Sequence, residues 1–266
     1  MNNESHRISV IIGVYNCEST LRNALDSLYT QTYDDFQIII CDDGSVDKTQ
    51  NILAEYQKKY DNITVLVNET NLGLNATLNK CLKYVNTPYV ARMDGDDIAL
   101  PDRFKTQVEF LDEHSEYAFV STAMIAFDEH GDFKTFRKPE GSPDINSFIK
   151  GTPFYHAPVM VRKDAYDAVG GYSVDSQLLR VEDYHLWIKM YAAGFKGYNF
   201  SDVYYKMRDD RNALGRRNWK NRKNEMYVKW IAARTLHLPI YLYPYIIIPM
   251  IKYLLPKSLY CKLHRM

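Results

Sequence analysis

The segment Tyr89-Val90-Ala91-Arg92-Met93-Asp94-Gly95-Asp96-Asp97 ends an apolar run in three carboxylates around one glycine. Carboxylates packed this closely repel, so gathering them costs free energy unless a hard cation or hydrogen-bond donors compensate. A strand that delivers them to a loop leaves them at the open end of a sheet, where α/β proteins bind ligands. Such a cluster suits Mg2+ or Mn2+ held against a diphosphate; the alternative is a solvated turn in which Gly95 makes the bend. A second pair, Glu182-Asp183, opens a run whose Tyr184, Trp187 and Ile188 fall near one helical face. The helix N-terminus favours a charged carboxylate there and would lower its pKa, so the pair also reads as a simple complement to the helix dipole. A third acidic group, Cys41-Asp42-Asp43-Gly44-Ser45, follows another apolar run, with Asp47 opening the next helix. A carboxylate at a strand end can accept the N–H of a uracil ring; an acidic turn plus a helix cap is the plainer role.

The elements that must position these groups are legible from periodicity. Ile8–Val14 and Phe36–Cys41 are β-branched-rich and read as buried strands. Leu21, Ala24, Leu25 and Leu28 recur at helical spacing behind Ser19 or Thr20 as N-cap, and Asp47 caps a helix ending near Tyr60. Ile63–Val67 is the next strand, followed by a helix with Leu74, Leu78, Leu82 and Val85 on one face. Thr87-Pro88 breaks the chain before the strand Tyr89–Met93, and Pro101 suits the first turn of a helix carrying Phe104, Val108 and Leu111 inward. This alternation predicts an α/β fold with a largely parallel, doubly wound, Rossmann-like sheet flanked by helices. Beyond Glu116 the pattern turns mixed. Tyr117–Phe127 and Phe133–Arg137 flank a hairpin turn, Ala157–Arg162 is a strand, and Val181–Ala193 is a helix ended by Gly194.

Ser9-Val10-Ile11-Ile12-Gly13-Val14-Tyr15-Asn16, Asp42-Asp43-Gly44-Ser45, Asn71-x-Gly73 with Leu78-Asn79, and Asp94-Gly95-Asp96-Asp97 occur in one βα series. With Pro101-Asp102-Arg103, Gly170-Gly171-Tyr172 and Glu182-Asp183-Tyr184-His185-Leu186-Trp187, this ordered set resembles family-2 glycosyltransferases of the GT-A fold over about residues 7 to 207. The resemblance implies an inverting transfer from a UDP-sugar, dependent on a divalent cation, Mn2+ or Mg2+. Gly13 and Tyr15 would then lie against the nucleotide and Asp42 would hold the uracil. Asp94 would contact the ribose or the metal, and Asp96 would be the direct metal ligand. Arg92 would pair with a phosphate or with Asp94. Asp183 would be the general base, Glu182 would position a sugar, and Trp187 would stack on a sugar or pack in the core. Gly151-Thr152-Pro153-Phe154-Tyr155-His156 is a candidate loop over the donor, with His156 near the site. Many relatives carry a histidine just after the strand that ends here at Tyr204-Tyr205-Lys206-Met207, where this chain has Arg208-Asp209-Asp210. Arg208 would bind the diphosphate directly, or Asp209 would reach the ion.

The 33 basic and 33 acidic residues balance, but twelve of the Lys/Arg follow residue 210 against one acid, Glu225. Residues 1–210 are accordingly expected to form the catalytic domain, with a nucleotide-sugar half at about 7–115 and an acceptor half at about 116–210. Residues 211–266 form a basic, apolar tail. Leu238–Pro256 is long enough nearly to cross a bilayer, but Pro239, Pro244, Pro249, Pro256 and Lys252 oppose a spanning helix. Its tyrosines and flanking cations suit the headgroup zone of anionic lipid, which predicts peripheral docking on the cytoplasmic face of the inner membrane. A tail packed on the core is the alternative. A lipid-linked or other oligosaccharide acceptor for a surface polysaccharide would account for such a tail. No nucleic-acid motif accompanies the basic residues, and no GxGxxG follows a strand, which sets nucleic-acid binding and dehydrogenase chemistry aside. A nucleotide-sugar sensor or assembly subunit and a sugar-phosphate nucleotidyltransferase are the rival classes; the latter would need a Gly/Arg-rich loop where Val14-Tyr15-Asn16-Cys17 stands. Cys17, Cys41, Cys81 and Cys261 have no metal-ligand spacing and read mainly as buried thiols of a reducing compartment.

Overall fold

The computed structural model describes residues 6–209 and 218–254; Asp210, Arg211, Pro256, Lys257, Cys261, Lys262 and Arg265 lie outside the described residues. The first half alternates as expected: β1 (Ile8–Val14), α1 (Leu21–Leu28), β2 (Phe36–Asp42), α2 (Thr49–Lys59), β3 (Ile63–Val67), α3 (Leu74–Leu82) and β4 (Tyr89–Asp94). A two-residue strand β5 (Ile98–Ala99) and α4 (Arg103–Glu113) follow. The second half holds the hairpin β6 (Phe119–Asp128) and β7 (Gly131–Phe136), then β8 (Met160–Arg162), α5 (Lys163–Val169), α6 (Glu182–Ala192) and β9 (Gly197–Arg208). Two more helices, α7 (Trp219–Thr235) and α8 (Ile248–Leu254), close the described chain.

The strands form one sheet in the order β3-β2-β1-β4-β8-β6-β9-β5, with β7 beside β6. β3, β2, β1 and β4 are parallel. β8 runs antiparallel to β4 and β6 and carries the sheet into the second half. Period-two alternation sorts the central strands between two cores. Ile11 and Ile39 join a layer with Leu78, Phe119 and Trp187; Val10, Ile12, Ile38 and Ile40 join another with Leu25, Leu53 and Phe104. Burial on both faces is why β1 and β2 read as continuous apolar runs.

Several local expectations are corrected. Thr20 stands at the N-cap of α1, but its hydroxyl donates to the Gly95 carbonyl (3.1 Å) and makes no cap bond, which ties α1 to the acidic loop. α2 starts two residues past Asp47, whose carboxylate instead accepts the N–H groups of Thr49 (2.9 Å) and Glu18 (3.0 Å). Val85 packs from beyond the end of α3, and the strand expected from Ala157 begins only at Met160. β5 and α5 were invisible to periodicity because two and seven residues are too few to display one. The tail is partly core: Val228, Ala232, Ala233, Leu236 and Leu242 join the same buried cluster as Trp187. Among the described residues, no helix is long and apolar enough to cross a membrane. Cys41 and Cys81 are buried and Cys17 is half-buried.

Candidate active site

Sheet register builds the first part of the site. Val14 pairs with Asp42, and Gly13 pairs with Cys41 on one side and Asp94 on the other. Three parallel strands thus end together and bring Tyr15, Asp42 and Asp94 to one edge. Tyr15 is 46% exposed there, while Asp42 is fully buried. One Asp42 oxygen accepts the backbone N–H (3.1 Å) and hydroxyl of Ser45, and the other accepts Gln50 Nε2 (2.7 Å). Its neighbour Asp43, to which the sequence assigned no role, accepts the N–H groups of Leu72 and Gly73 (both 2.9 Å) and Asn68 Nδ2 (2.8 Å). Asp43 thereby fastens the Asn71-x-Gly73 loop to the end of β2. The signal was the joint presence of the two motifs, but only the fold pairs them.

Ligand oxygens of Asp94, Asp96 and Asp97 all lie within 4.8 Å of one another. Asp97 is already engaged by protein donors: Tyr205 Oη gives 2.8 Å to one oxygen and the Arg208 N–H gives 2.7 Å to the other. It therefore anchors the loop to β9. Burial, with Asp94 and Asp96 nearby, pushes its carboxyl well above the usual range. Burial and then Asp94 also raise Asp96, against the pull of Arg92 and Arg208. The cluster carries more negative charge than its protein partners offset, and Asp94 with Asp96 is the part whose oxygens suit a hard divalent cation. Gly95 is required by close approach: a Cβ there would stand 2.6 Å from Val14 Cγ1, a buried β-branched side chain with little freedom to yield. Gly95→Ala is expected to destabilise the fold by about 1–3 kcal/mol. The thermal midpoint should drop, with activity lost beyond that drop as the aspartates move apart.

Arg92 links this cluster to the second half. It is 4% exposed, donates to Asp94, and leaves its Nε without a hydrogen-bond partner. Arg103, itself buried, fixes the strand by donating to the Arg92 carbonyl (2.7 Å). The charge of Arg92 acts on Asp96, on His156 and on Asp183 at the start of α6. The two acidic sites, some ninety residues apart in sequence, therefore lie within electrostatic reach of one cationic side chain. Asp183 departs from expectation: its pKa is raised to about 6, not lowered, because burial and then Glu182 outweigh the Tyr184 N–H and Arg92. The helix terminus alone does not decide its charge.

Glu182 lines a cleft of about 590 Å³ with Gly73, Asn75, Arg180 and Lys220, and its Oε2 is buried without a partner. His156 shares a 2.7 Å hydrogen bond with Tyr172 Oη, and burial followed by Arg92 holds it well below the usual histidine range, so it is neutral. Asn79 of α3 brackets Tyr172, donating to its carbonyl (2.7 Å) and accepting its N–H (2.8 Å). Trp187 takes the core alternative: it is fully buried and stacked on Phe119 with centroids 4.7 Å apart, so no face is open to a sugar. Arg208 lies over the Phe127 ring at 4.8 Å and within electrostatic reach of Asp96. Lys138, which no motif indicated, feels the charge of Asp183, though burial dominates and lowers its pKa, and its Nζ donates to the Thr152 carbonyl (2.8 Å).

Residues 9–170 match the family model described as Glycosyl transferase family 2. The chain is 38% identical over 264 residues to a putative glycosyltransferase, EpsE, of Bacillus subtilis, covering 99% of this chain and 95% of that one. It is 31% identical, over 82% of its own length and 79% of the other, to an Escherichia coli UDP-Gal:alpha-D-GlcNAc-diphosphoundecaprenol beta-1,3-galactosyltransferase. Its fold matches that of Staphylococcus aureus TarS 1-349 in complex with UDP, with TM-score 0.67 and 22% identity, covering 85% of this chain and 65% of that chain.

Proposed function

Since this chain belongs to glycosyl transferase family 2, we propose that it is an inverting, metal-dependent enzyme that moves a hexosyl or N-acetylhexosaminyl group from a UDP-sugar to a lipid-linked saccharide. The step would serve surface-polysaccharide synthesis at the cytoplasmic face of the membrane. The observation that carries this proposal is that buried Arg92 pairs with Asp94 and its charge reaches Asp183, while Glu182, next to Asp183, lines the same cleft as Gly73. A donor diphosphate and a proton acceptor need such adjacency, because the sugar passes between them. The Escherichia coli relative, whose name gives UDP-Gal and a diphosphoundecaprenol-linked GlcNAc, supports the classes of donor and acceptor.

Asp183 takes the proton from an acceptor hydroxyl whose oxygen bonds to the anomeric carbon from the face opposite the leaving group. The bond from that carbon to the phosphate oxygen breaks, and its electron pair leaves on UDP. A single displacement inverts the anomeric centre. A divalent cation, held by Asp94 and Asp96, would supply Lewis-acid stabilisation of the departing diphosphate. Arg92 and Arg208 add fixed positive charge beside it. At the nucleoside end Tyr15 lies against the base. Asp42 is fully buried and engaged by Ser45 and Gln50, so the uracil N–H would reach its carboxylate by displacing one of those donors. Glu182 orients a sugar, and the neutral His156–Tyr172 pair walls the site without competing for the proton.

A panel of nucleotide sugars tests this proposal, with release of the nucleoside diphosphate as the signal. One UDP-sugar should be turned over in the presence of a polyprenyl-diphosphate saccharide, and chelation should stop it. Because Asp183 must be ionised to act, kcat/KM should be flat above its pKa of about 6 and fall tenfold per pH unit below it. Failure of every nucleotide sugar would overturn the assignment.

A further inference from the structure

Among the described residues, seven of the sixteen exposed large hydrophobic side chains fall between Trp219 and Leu254, so the tail's outer surface, unlike its core-packed side, holds apolar groups that folding leaves in water. The pattern on α7 is specific. Trp219, Lys223, Trp230 and Arg234 recur at helical spacing along one stripe and are all exposed, while Asn224, Val228 and Ala232 opposite them are buried. Tyr227 stacks beside Trp230, with centroids 6.2 Å apart. Trp219 meets Tyr253 at 5.7 Å, which brings α8, with its exposed Ile251 and Leu254, alongside the same end of α7. Ile240 and Tyr241, 80% and 75% exposed, continue the apolar surface in the connecting turn. The sole acid from Trp219 to Leu254 is Glu225, which is half-buried and paired with Arg222 at 2.7 Å.

We propose that the α7 stripe, together with the exposed apolar residues of the following turn and α8, is a docking surface for an anionic lipid bilayer. Tryptophan with interspersed Lys and Arg suits the headgroup boundary, where rings enter the interface and cations stay with the phosphates. A second copy of the chain fits less well, because the same cations would face one another with no acid between them. Lys220 and Asn221 of α7 also line the cleft that holds Glu182, so docking sets the mouth of that cleft at the lipid surface. This rests on the reading that the acceptor is lipid-linked.

Flotation of the full chain with vesicles tests it, using phosphatidylcholine alone and an equimolar mixture with phosphatidylglycerol. Binding should require the anionic lipid, weaken with salt, and shift the tryptophan emission to the blue. Of the three tryptophans, Trp187 is fully buried, so Trp219 and Trp230 supply that shift. Lys223→Glu with Arg234→Glu should lower binding at least twenty-fold, roughly fivefold per cation. Trp230→Ala should weaken binding while leaving its salt dependence in place. The double variant should keep its turnover on a short-chain, water-soluble acceptor and lose it on a vesicle-embedded one. Turnover of neither acceptor by the unaltered chain would count against the proposed reaction instead. Equal binding to both vesicles, wild-type binding by the double variant, or a dimer in solution that hides the two tryptophans would overturn the docking surface.

Discussion

Asp183→Asn is expected to lower turnover by about a hundred- to ten-thousand-fold while leaving UDP-sugar affinity near its original value. The amide fills nearly the same volume at the start of α6 and removes one charge from a burial-disfavoured position, so folding should not suffer. What disappears is a group that accepts a proton as the acceptor oxygen attacks. The acid limb of the pH profile, placed at about 6 by burial and Glu182, should vanish with it. Calorimetric titration with donor separates this outcome from a binding defect. A variant that turns over normally would remove Asp183 from the role of base.

Asp96→Asn should act at the other end of the reaction. The amide keeps one oxygen but loses the charge that makes a carboxylate a strong ligand for Mg2+ or Mn2+. If the cation supplies several kcal/mol of stabilisation to the departing diphosphate, at about 1.4 kcal/mol per factor of ten, transfer should fall at least a hundredfold. The clearer readout is binding. Metal should tighten UDP-sugar affinity for the unaltered chain, and chelation should reverse the gain; for the variant, affinity should not respond to metal. Because burial and Asp94 raise the Asp96 carboxyl, the substitution also relieves repulsion. A stable, folded variant is therefore expected, and metal-tightened binding that survives in it would transfer the ligand role elsewhere.

The parallel half of the fold was legible because β1, β2 and β4 are buried on both faces and their helices carry one apolar stripe each. Those signals are local, and each repeats within a few residues. The second half was less legible for a physical reason. β8 offers three residues, β5 two, and β9 joins the sheet beside β6, whose partner positions no local pattern encodes. Trp187 shows the same limit: its helical spacing was correct, but whether its ring met a sugar or Phe119 depended on what packed above it.

Sequence by itself determined which carboxylates stand at strand and helix ends, since apolar periodicity fixes where each element stops. It also determined the charge asymmetry of the tail. Tertiary structure decided the rest. Register aligned Gly13 with Asp94 and Val14 with Asp42, Asp97 was spent on Tyr205 and Arg208, and Arg92 was paired with Asp94 within electrostatic reach of Asp183. It also reversed the expected pKa shift of Asp183. Desolvation depends on what the fold packs around Asp183, and with repulsion from Glu182 it outweighs the backbone N–H groups at the start of its own helix.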